Sequence, residues 1–172
     1  MQKIVMTYGL IAGAILAATM LLSFGFEDAI GFDNGAIIGY SAMVVAFLFV
    51  YFGVRRYRDE IAGGTLRFGA AFKVGLMITL VATVCYVITW QVVYYQLMPD
   101  FFDRYAAHAI AKAQAAGQSE ARLIALTAEM VEFAELYKNP FINIGFTFLE
   151  PLPVGLLFSL VTAGVVSRKQ TN

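Results

Sequence analysis

Long apolar runs dominate the pattern of hydrophobic and polar positions along this chain. Four of them approach or exceed the roughly 20 apolar residues that a helix needs to cross a bilayer core. These predicted spans cover residues 4–26, 36–54, 74–98 and 141–166. The first run is longer than the roughly 7 to 15 residues of a signal-peptide core, so we expect it to be retained as a helix. We predict an all-α polytopic membrane protein, a four-helix bundle that forms a single transmembrane domain over residues 1–172.

The connection between the third and fourth spans, residues 99–140, is too long for a turn and has a helical pattern. Apolar residues recur at alternating steps of three and four, as along one face of an amphipathic helix. They are Leu123, Leu126, Met130, Phe133 and Tyr137. Gly117 separates this helix from an alanine-rich segment that begins near Asp100. The pattern predicts a helical hairpin whose apolar seam is covered by its own arms, by the membrane surface or by another protein.

The composition agrees with a membrane location, because 60% of the residues are hydrophobic and only 14% are charged. Soluble domains carry about 25% charged residues. The few basic residues adjoin the spans, so we exclude nucleic acid as a partner. The single cysteine, Cys85, cannot form an internal disulfide, and we interpret it as a packing residue of the third span. No cofactor is indicated.

Charges are segregated between the segments that connect the spans. One side carries eight bases and two acids, a net charge of +6; the other side carries nine acids and four bases, a net charge of −5. The bases of the positive side are Lys3, Arg55, Arg56, Arg58, Arg67, Lys73, Arg168 and Lys169. By the positive-inside rule both termini and the second loop are cytoplasmic, and the hairpin is extracytoplasmic. We therefore expect a multi-pass membrane protein with both termini in the cytoplasm.

A basic cluster follows the second span directly. Arg55, Arg56 and Arg58 come after an aromatic run that ends at Phe52. Aromatic and basic residues in this order are typical of the membrane–water interface, where the bases contact lipid headgroups. The cluster is therefore predicted to anchor the cytoplasmic end of this span in the lipid bilayer, and setting the topology is preferred over specific binding of anionic lipid.

Small residues recur at four-residue spacing on two spans. Gly9, Gly13 and Ala17 share one face of the first span, and Gly35 and Gly39 share one face at the start of the second. Such faces let helices approach closely. Packing within one chain is the preferred interpretation, and a homo-oligomer is the alternative.

The fourth span contains an isolated acid beside two prolines. Glu150 is followed by Pro151 and Pro153. A carboxylate at the centre of a bilayer costs about 2.5 to 3.5 kcal/mol on insertion scales. The prolines remove two helical N–H donors, and a residue that precedes proline avoids the helical region, so Glu150 and Leu152 are biased toward extended geometry. The span is therefore predicted to be broken or sharply kinked at an acid.

Matching residues by depth gives a candidate polar site around this break. At about 1.5 Å of rise per residue, the layer of Glu150 takes one or two polar residues from each other span. These are Thr19, then Tyr40 or Ser41, then Tyr86 or Thr89. Two interpretations stay open. Glu150 is a structural or interfacial acid, or it couples an ion or a substrate as interrupted helices do in transporters.

The remaining chemical candidates are weaker. His108 has no second histidine or cysteine at metal-ligand spacing, so no metal site is predicted. Glu129, Glu132 and Glu135 share part of a helix surface that is more typical of a solvated acidic face. The chain lacks the motif of a serine hydrolase or of a metalloprotease, and we do not expect an enzyme.

Several motifs, in order along the chain, resemble the bacterial membrane family catalogued as domain of unknown function 4199. They are Met1-Gln2-Lys3-Ile4 with Tyr8-Gly9, the junction from Phe52 to Asp59, Gly64-Thr65 with Phe72 to Gly75, Asn139-Pro140, and Pro153 to Leu156. The resemblance implies a four-helix inner-membrane domain. It implies no activity and no catalytic or binding residue.

Two functions are expected from these observations. The first is a non-enzymatic component of the envelope that packs with a second copy or with another membrane or envelope protein, through the hairpin and the small-residue faces. The alternative is a small transporter or ion-coupled protein that uses Glu150 in the proline-broken fourth span.

Overall fold

The computed structural model of this 172-residue chain describes residues 1–26 and 30–167, which are mostly helical and contain no strand. The helices are α1 (Gln2–Gly25), α2 (Phe32–Glu60), α3 (Phe68–Val92), α4 (Phe101–Ala115), α5 (Glu120–Tyr137), α6 (Pro140–Leu149) and α7 (Leu152–Val166). A π-helical turn, Val93–Leu97, extends α3. Four charged residues that enter the predicted asymmetry lie outside the described residues: Glu27, Asp28, Arg168 and Lys169.

Four helical stretches are long and apolar enough to cross a membrane. They are Gln2–Gly25, Phe32–Glu60, Phe68–Leu97 and Pro140–Val166. This confirms the predicted fold class, an all-α chain with four membrane-length helices. The side of the membrane on which the α4–α5 hairpin lies stays a prediction.

Two helices extend beyond the apolar spans that the sequence predicts. α2 continues six residues past position 54 to Glu60, and α3 begins six residues before position 74, at Phe68. Hydropathy marks only the apolar part of a helix, whereas backbone hydrogen bonding continues into polar sequence. Ion pairs between Arg55 and Asp59 (3.8 Å) and between Arg56 and Glu60 (2.7 Å) join successive turns in the added part of α2.

Within the described part of the chain, residues 1–89 and 147–167 belong to one compact unit. Glycines bring α1 against α3. A Cβ atom on Gly9 would lie 2.6 Å from Val81 Cβ, and one on Gly13 would lie 2.6 Å from Cys85 Cβ. This confirms the intramolecular interpretation of these two glycines. No atom lies within 4 Å of the equivalent Cβ position on Gly35 or Gly39.

Glycines also bring α7 against α3. A Cβ atom on Gly155 would lie 2.2 Å from Thr79 Cγ2, and one on Gly75 would lie 3.2 Å from Ser159 Cβ. A Cβ atom on Gly155 would also lie 3.0 Å from Phe47 Cζ of α2, and the Phe47 side chain is fully buried. Close packing of this kind drives helix association in a bilayer, where apolar burial alone contributes little.

Residues 90–146 form a second compact unit, held together by aromatic side chains. The Phe102 ring lies 4.7 Å from the Tyr137 ring and 5.6 Å from the Phe133 ring, so α4 and α5 pack against each other as a hairpin. The Tyr94 ring, on the π-helical turn, lies 5.7 Å from that of Tyr137. Gly117, with φ of 69°, makes the turn between the two arms.

Caps define where the helices of this second unit begin. The Ser119 hydroxyl accepts the Arg122 N–H at 3.3 Å at the start of α5. The Asn139 Oδ1 accepts the Phe141 N–H at 3.0 Å, and Pro140 opens α6 where no helical donor is needed. Gln91 also donates to Asn143 Oδ1 at 2.8 Å, which links the end of α3 to α6.

Candidate functional site

The fourth membrane-length helix is interrupted at the predicted position. α6 ends at Leu149 and α7 begins at Leu152, with buried Pro151 as its N-cap. The predicted extended bias is wrong for Leu152, which is helical. Pro153 lies in the first turn of α7, where a missing N–H removes no helical bond of that helix. Because proline has no N–H, the Leu149 carbonyl lacks the donor that an unbroken helix would supply.

Glu150 lies at this break and has a specific partner. The Tyr86 hydroxyl of α3 donates a hydrogen bond of 2.8 Å to Glu150 Oε2. The Glu150 side chain is exposed at the surface of its unit, and Tyr86 is half-buried. The acid therefore lies at the edge of the bundle, with one side of its carboxylate held by a phenol.

The structure brings Tyr86 to Glu150, but none of Thr19, Ser41 and Thr89 donates to it. The Thr89 hydroxyl donates to the Cys85 carbonyl of its own helix at 2.9 Å. Ser41 is exposed, as is its alternative Tyr40, and Thr19 is half-buried. Within the residues that the structure describes, Thr19 and Ser41 form no side-chain hydrogen bond.

The position of Thr19 follows from the packing of α1 on α3. Gly9 contacts Val81 and Gly13 contacts Cys85, so the two helices run parallel and in step. The level of Tyr86 then corresponds to residue 14 of α1. Thr19 lies five residues, or about 7.5 Å, farther along the helix. Counting residues from the apparent span ends misses this offset because the helices do not begin at one depth.

A seam of buried hydroxyls that was not predicted from the sequence lies between α3 and α7. Thr79 Oγ1 donates to the Gly155 carbonyl at 3.2 Å and lies 3.2 Å from Ser159 Oγ. Ser159 also donates to the Gly155 carbonyl, at 2.8 Å. In the sequence, the residues of this seam are recognisable by a four-residue spacing, between positions 79 and 83 on α3 and between positions 155 and 159 on α7.

Thr83 is the exception within this seam. Its side chain is fully buried, yet its hydroxyl has no hydrogen-bond partner in the described part of the chain. A buried unsatisfied hydroxyl costs about 1 to 3 kcal/mol. This position therefore requires an explanation that packing alone does not give.

The predicted interface anchor is partly neutralised by neighbouring acids. Arg58 Nε lies 2.7 Å from Asp59 Oδ1, and Arg56 pairs with Glu60. The side chains of Arg55 and Arg56 are about half exposed, whereas that of Arg58 is mostly covered. The end of α2 thus carries two half-exposed guanidinium groups, and their contact with lipid headgroups stays a prediction.

The α4–α5 hairpin has ionic pairs and an apolar groove on its surface. Glu129 pairs with Arg122 at 2.9 Å, and Glu135 pairs with Lys138, whose pKa is raised by that hydrogen bond. No group of three His, Cys, Asp or Glu side chains suited to a metal occurs among the described residues. His108 is half-buried on α4.

Four apolar helices of membrane length, packed through glycines and buried hydroxyls, define a multi-pass helical membrane protein. The chain belongs to the family described as protein of unknown function (DUF4199), which it matches over residues 7–168. That match confirms the resemblance carried by the sequence motifs. No curated protein and no solved structure matches the chain.

Proposed function

We propose that the protein is a non-enzymatic interaction component of a bacterial inner membrane, whose α4–α5 hairpin binds a second copy or another envelope protein. The observation that carries this proposal is the incompletely covered apolar surface of the hairpin. Ile124 and Val131 of α5 are 65% and 59% exposed. No residue of α4 is fully buried.

The exposed residues line one continuous groove between the two arms. It has a volume of about 550 Å³ and is lined mainly by Ile110 on α4 and by Leu123, Ile124 and Val131 on α5. The two most exposed large apolar residues of α5, Ile124 and Val131, are two turns apart on one face, the spacing with which a partner helix engages a groove. Gln114 and Glu120 also line the groove and supply polar groups beside this apolar strip.

The proposal places both termini in the cytoplasm and the hairpin outside it, which the charge asymmetry supports. Single cysteines test this on a Cys85→Ser background. A membrane-impermeant maleimide applied to whole cells with a permeable outer membrane should label position 118 in the hairpin turn and spare position 64 in the second loop. The reverse pattern would refute the orientation.

Photo-crosslinking in living cells tests the interaction itself. A photoreactive residue at Val131 should give a discrete protein adduct, because this side chain lies in the groove. The matched control is Glu132, the next residue, which is exposed on another face of α5. The mass of the adduct distinguishes a second copy from a different protein. Equal adducts at both positions, or none at Val131, would contradict the proposal.

Ion-coupled transport is a second candidate, favoured by the hydrogen bond between Tyr86 and Glu150 at the helix break. Interrupted helices at membrane depth hold ions in several transporter folds. A Glu150→Gln variant should keep normal abundance and lose pH-dependent flux in proteoliposomes. Unchanged flux in that variant, or no flux with the wild-type protein, would eliminate this candidate.

A further inference from the structure

The helix break and the buried hydroxyl at Thr83 lie in the same region of the bundle. Thr79, Thr83 and Tyr86 follow one another at steps of four and three along α3, so they occupy one face of that helix within about 60°. Thr79 contacts Gly155 and Tyr86 contacts Glu150. Thr83 lies between them and therefore faces the start of α7 and its buried N-cap, Pro151.

Three groups at this level of the bundle offer oxygen atoms that could bind a cation. The Glu150 carboxylate has one oxygen engaged by Tyr86. The Leu149 carbonyl has lost its helical donor because residue 153 is proline. The Thr83 hydroxyl is fully buried and has no partner among the described side and main chains. Hard cations prefer carboxylate, carbonyl and hydroxyl oxygens of this kind.

The charge of this set points to a monovalent ion. One carboxylate neutralises one positive charge, whereas a divalent ion would leave an uncompensated charge at membrane depth. The described residues hold no cluster of three His, Cys, Asp or Glu side chains that would suit a more highly charged metal ion. Sodium rather than a transition metal fits a site without nitrogen or sulfur donors.

We propose that Glu150, the Leu149 carbonyl and the Thr83 hydroxyl, with Tyr86 as the positioning residue, bind one sodium ion at the proline break. The site does not depend on the hairpin interaction. It also does not require transport, because a bound ion that never crosses the membrane would stabilise the break in the same way.

Thermal unfolding of the purified full-length protein in detergent tests the site, with sodium chloride exchanged for choline chloride at constant ionic strength. Sodium should raise the midpoint temperature of unfolding, and the increase should level off once the site is saturated. Thr83→Val should weaken the apparent sodium affinity about tenfold or more, and Thr83→Ser, which keeps the hydroxyl, should retain it. Ser41→Ala is the matched control, because Ser41 is exposed and forms no hydrogen bond with Glu150.

Three outcomes would overturn the proposal. They are an equal midpoint in sodium and choline, an unchanged sodium response in Thr83→Val, and a response that follows pH but not sodium. The last would make a proton the occupant of Glu150. Sodium binding without flux in proteoliposomes would eliminate the transport candidate and leave the site intact, and neither result bears on crosslinking from the hairpin.

Discussion

Gly155 is the position where α7 approaches α3 most closely, and replacing it by alanine tests the packing directly. The added methyl group would lie 2.2 Å from Thr79 Cγ2 and 3.0 Å from Phe47 Cζ. Phe47 is fully buried and Thr79 is fully buried, so neither side chain has open space to move into. The two helices must separate or a rotamer must change.

Overpacking a dense interior in this way costs about 1 to 3 kcal/mol. For a protein of this size that loss corresponds to a fall of about 2 to 12 °C in the unfolding midpoint. Gly164→Ala on the same helix is the matched control, because no atom lies within 4 Å of its Cβ position. Alanine is the better helix former, so the control should be neutral or slightly stabilised, by up to about 1 kcal/mol.

Thermal unfolding in detergent, followed by circular dichroism, measures both variants. A second change identifies the contact: Thr79→Ser removes the clashing Cγ2 atom and keeps the hydroxyl that donates to the Gly155 carbonyl. In a double-mutant cycle, Thr79→Ser should recover at least part of the Gly155→Ala loss. If Gly155→Ala is as stable as Gly164→Ala, or if the two changes are simply additive, the packing of α7 on α3 is not as described.

Two further substitutions probe other contacts. Gly9→Ala should lower the free energy of unfolding by about 1 to 3 kcal/mol, because its Cβ atom would lie 2.6 Å from Val81 Cβ. Gly35→Ala should cause no loss, because no atom lies within 4 Å of its Cβ position. Equal effects of the two changes in thermal unfolding would refute this prediction. Phe102→Ala removes four ring contacts within 6.0 Å and should speed hydrogen exchange of α4 amides about tenfold or more. Phe141→Ala, at a ring that is 86% exposed, should leave that exchange unchanged.

The sequence predicts the helices well because hydrophobic length and periodicity are local properties. The four spans, the break at Glu150 and the glycine turn at Gly117 all follow from such patterns. Two features do not follow, because they depend on how one helix is placed against another. One is the offset that keeps Thr19 away from Glu150; the other is the burial of Thr79 and Thr83.

Glu150 is an isolated acid in an apolar span, but the structure offsets much of the free-energy cost of placing its carboxylate there. The carboxylate costs about 2.5 to 3.5 kcal/mol at membrane depth, and a hydrogen bond to a charged group returns about 1.5 to 3 kcal/mol. The bond from Tyr86 at 2.8 Å therefore offsets much of the cost, and the exposed position of Glu150 lowers the remainder.

The buried Thr83 hydroxyl has no hydrogen bond among the described residues to offset the cost of its burial. Replacing Thr83 therefore tests the proposed sodium site more directly than replacing Glu150. In a fully buried site whose hydroxyl makes no bond within the described residues, valine would fill nearly the same volume without the cost of an unsatisfied donor. Thr83→Val should therefore raise the free energy of unfolding by about 1 to 3 kcal/mol in sodium-free choline buffer. It should also reduce the additional stabilisation by sodium that the wild type shows. A variant that loses stability in choline would show instead that the hydroxyl supports the fold itself, and Thr83 would then be a structural residue of the α3–α7 seam.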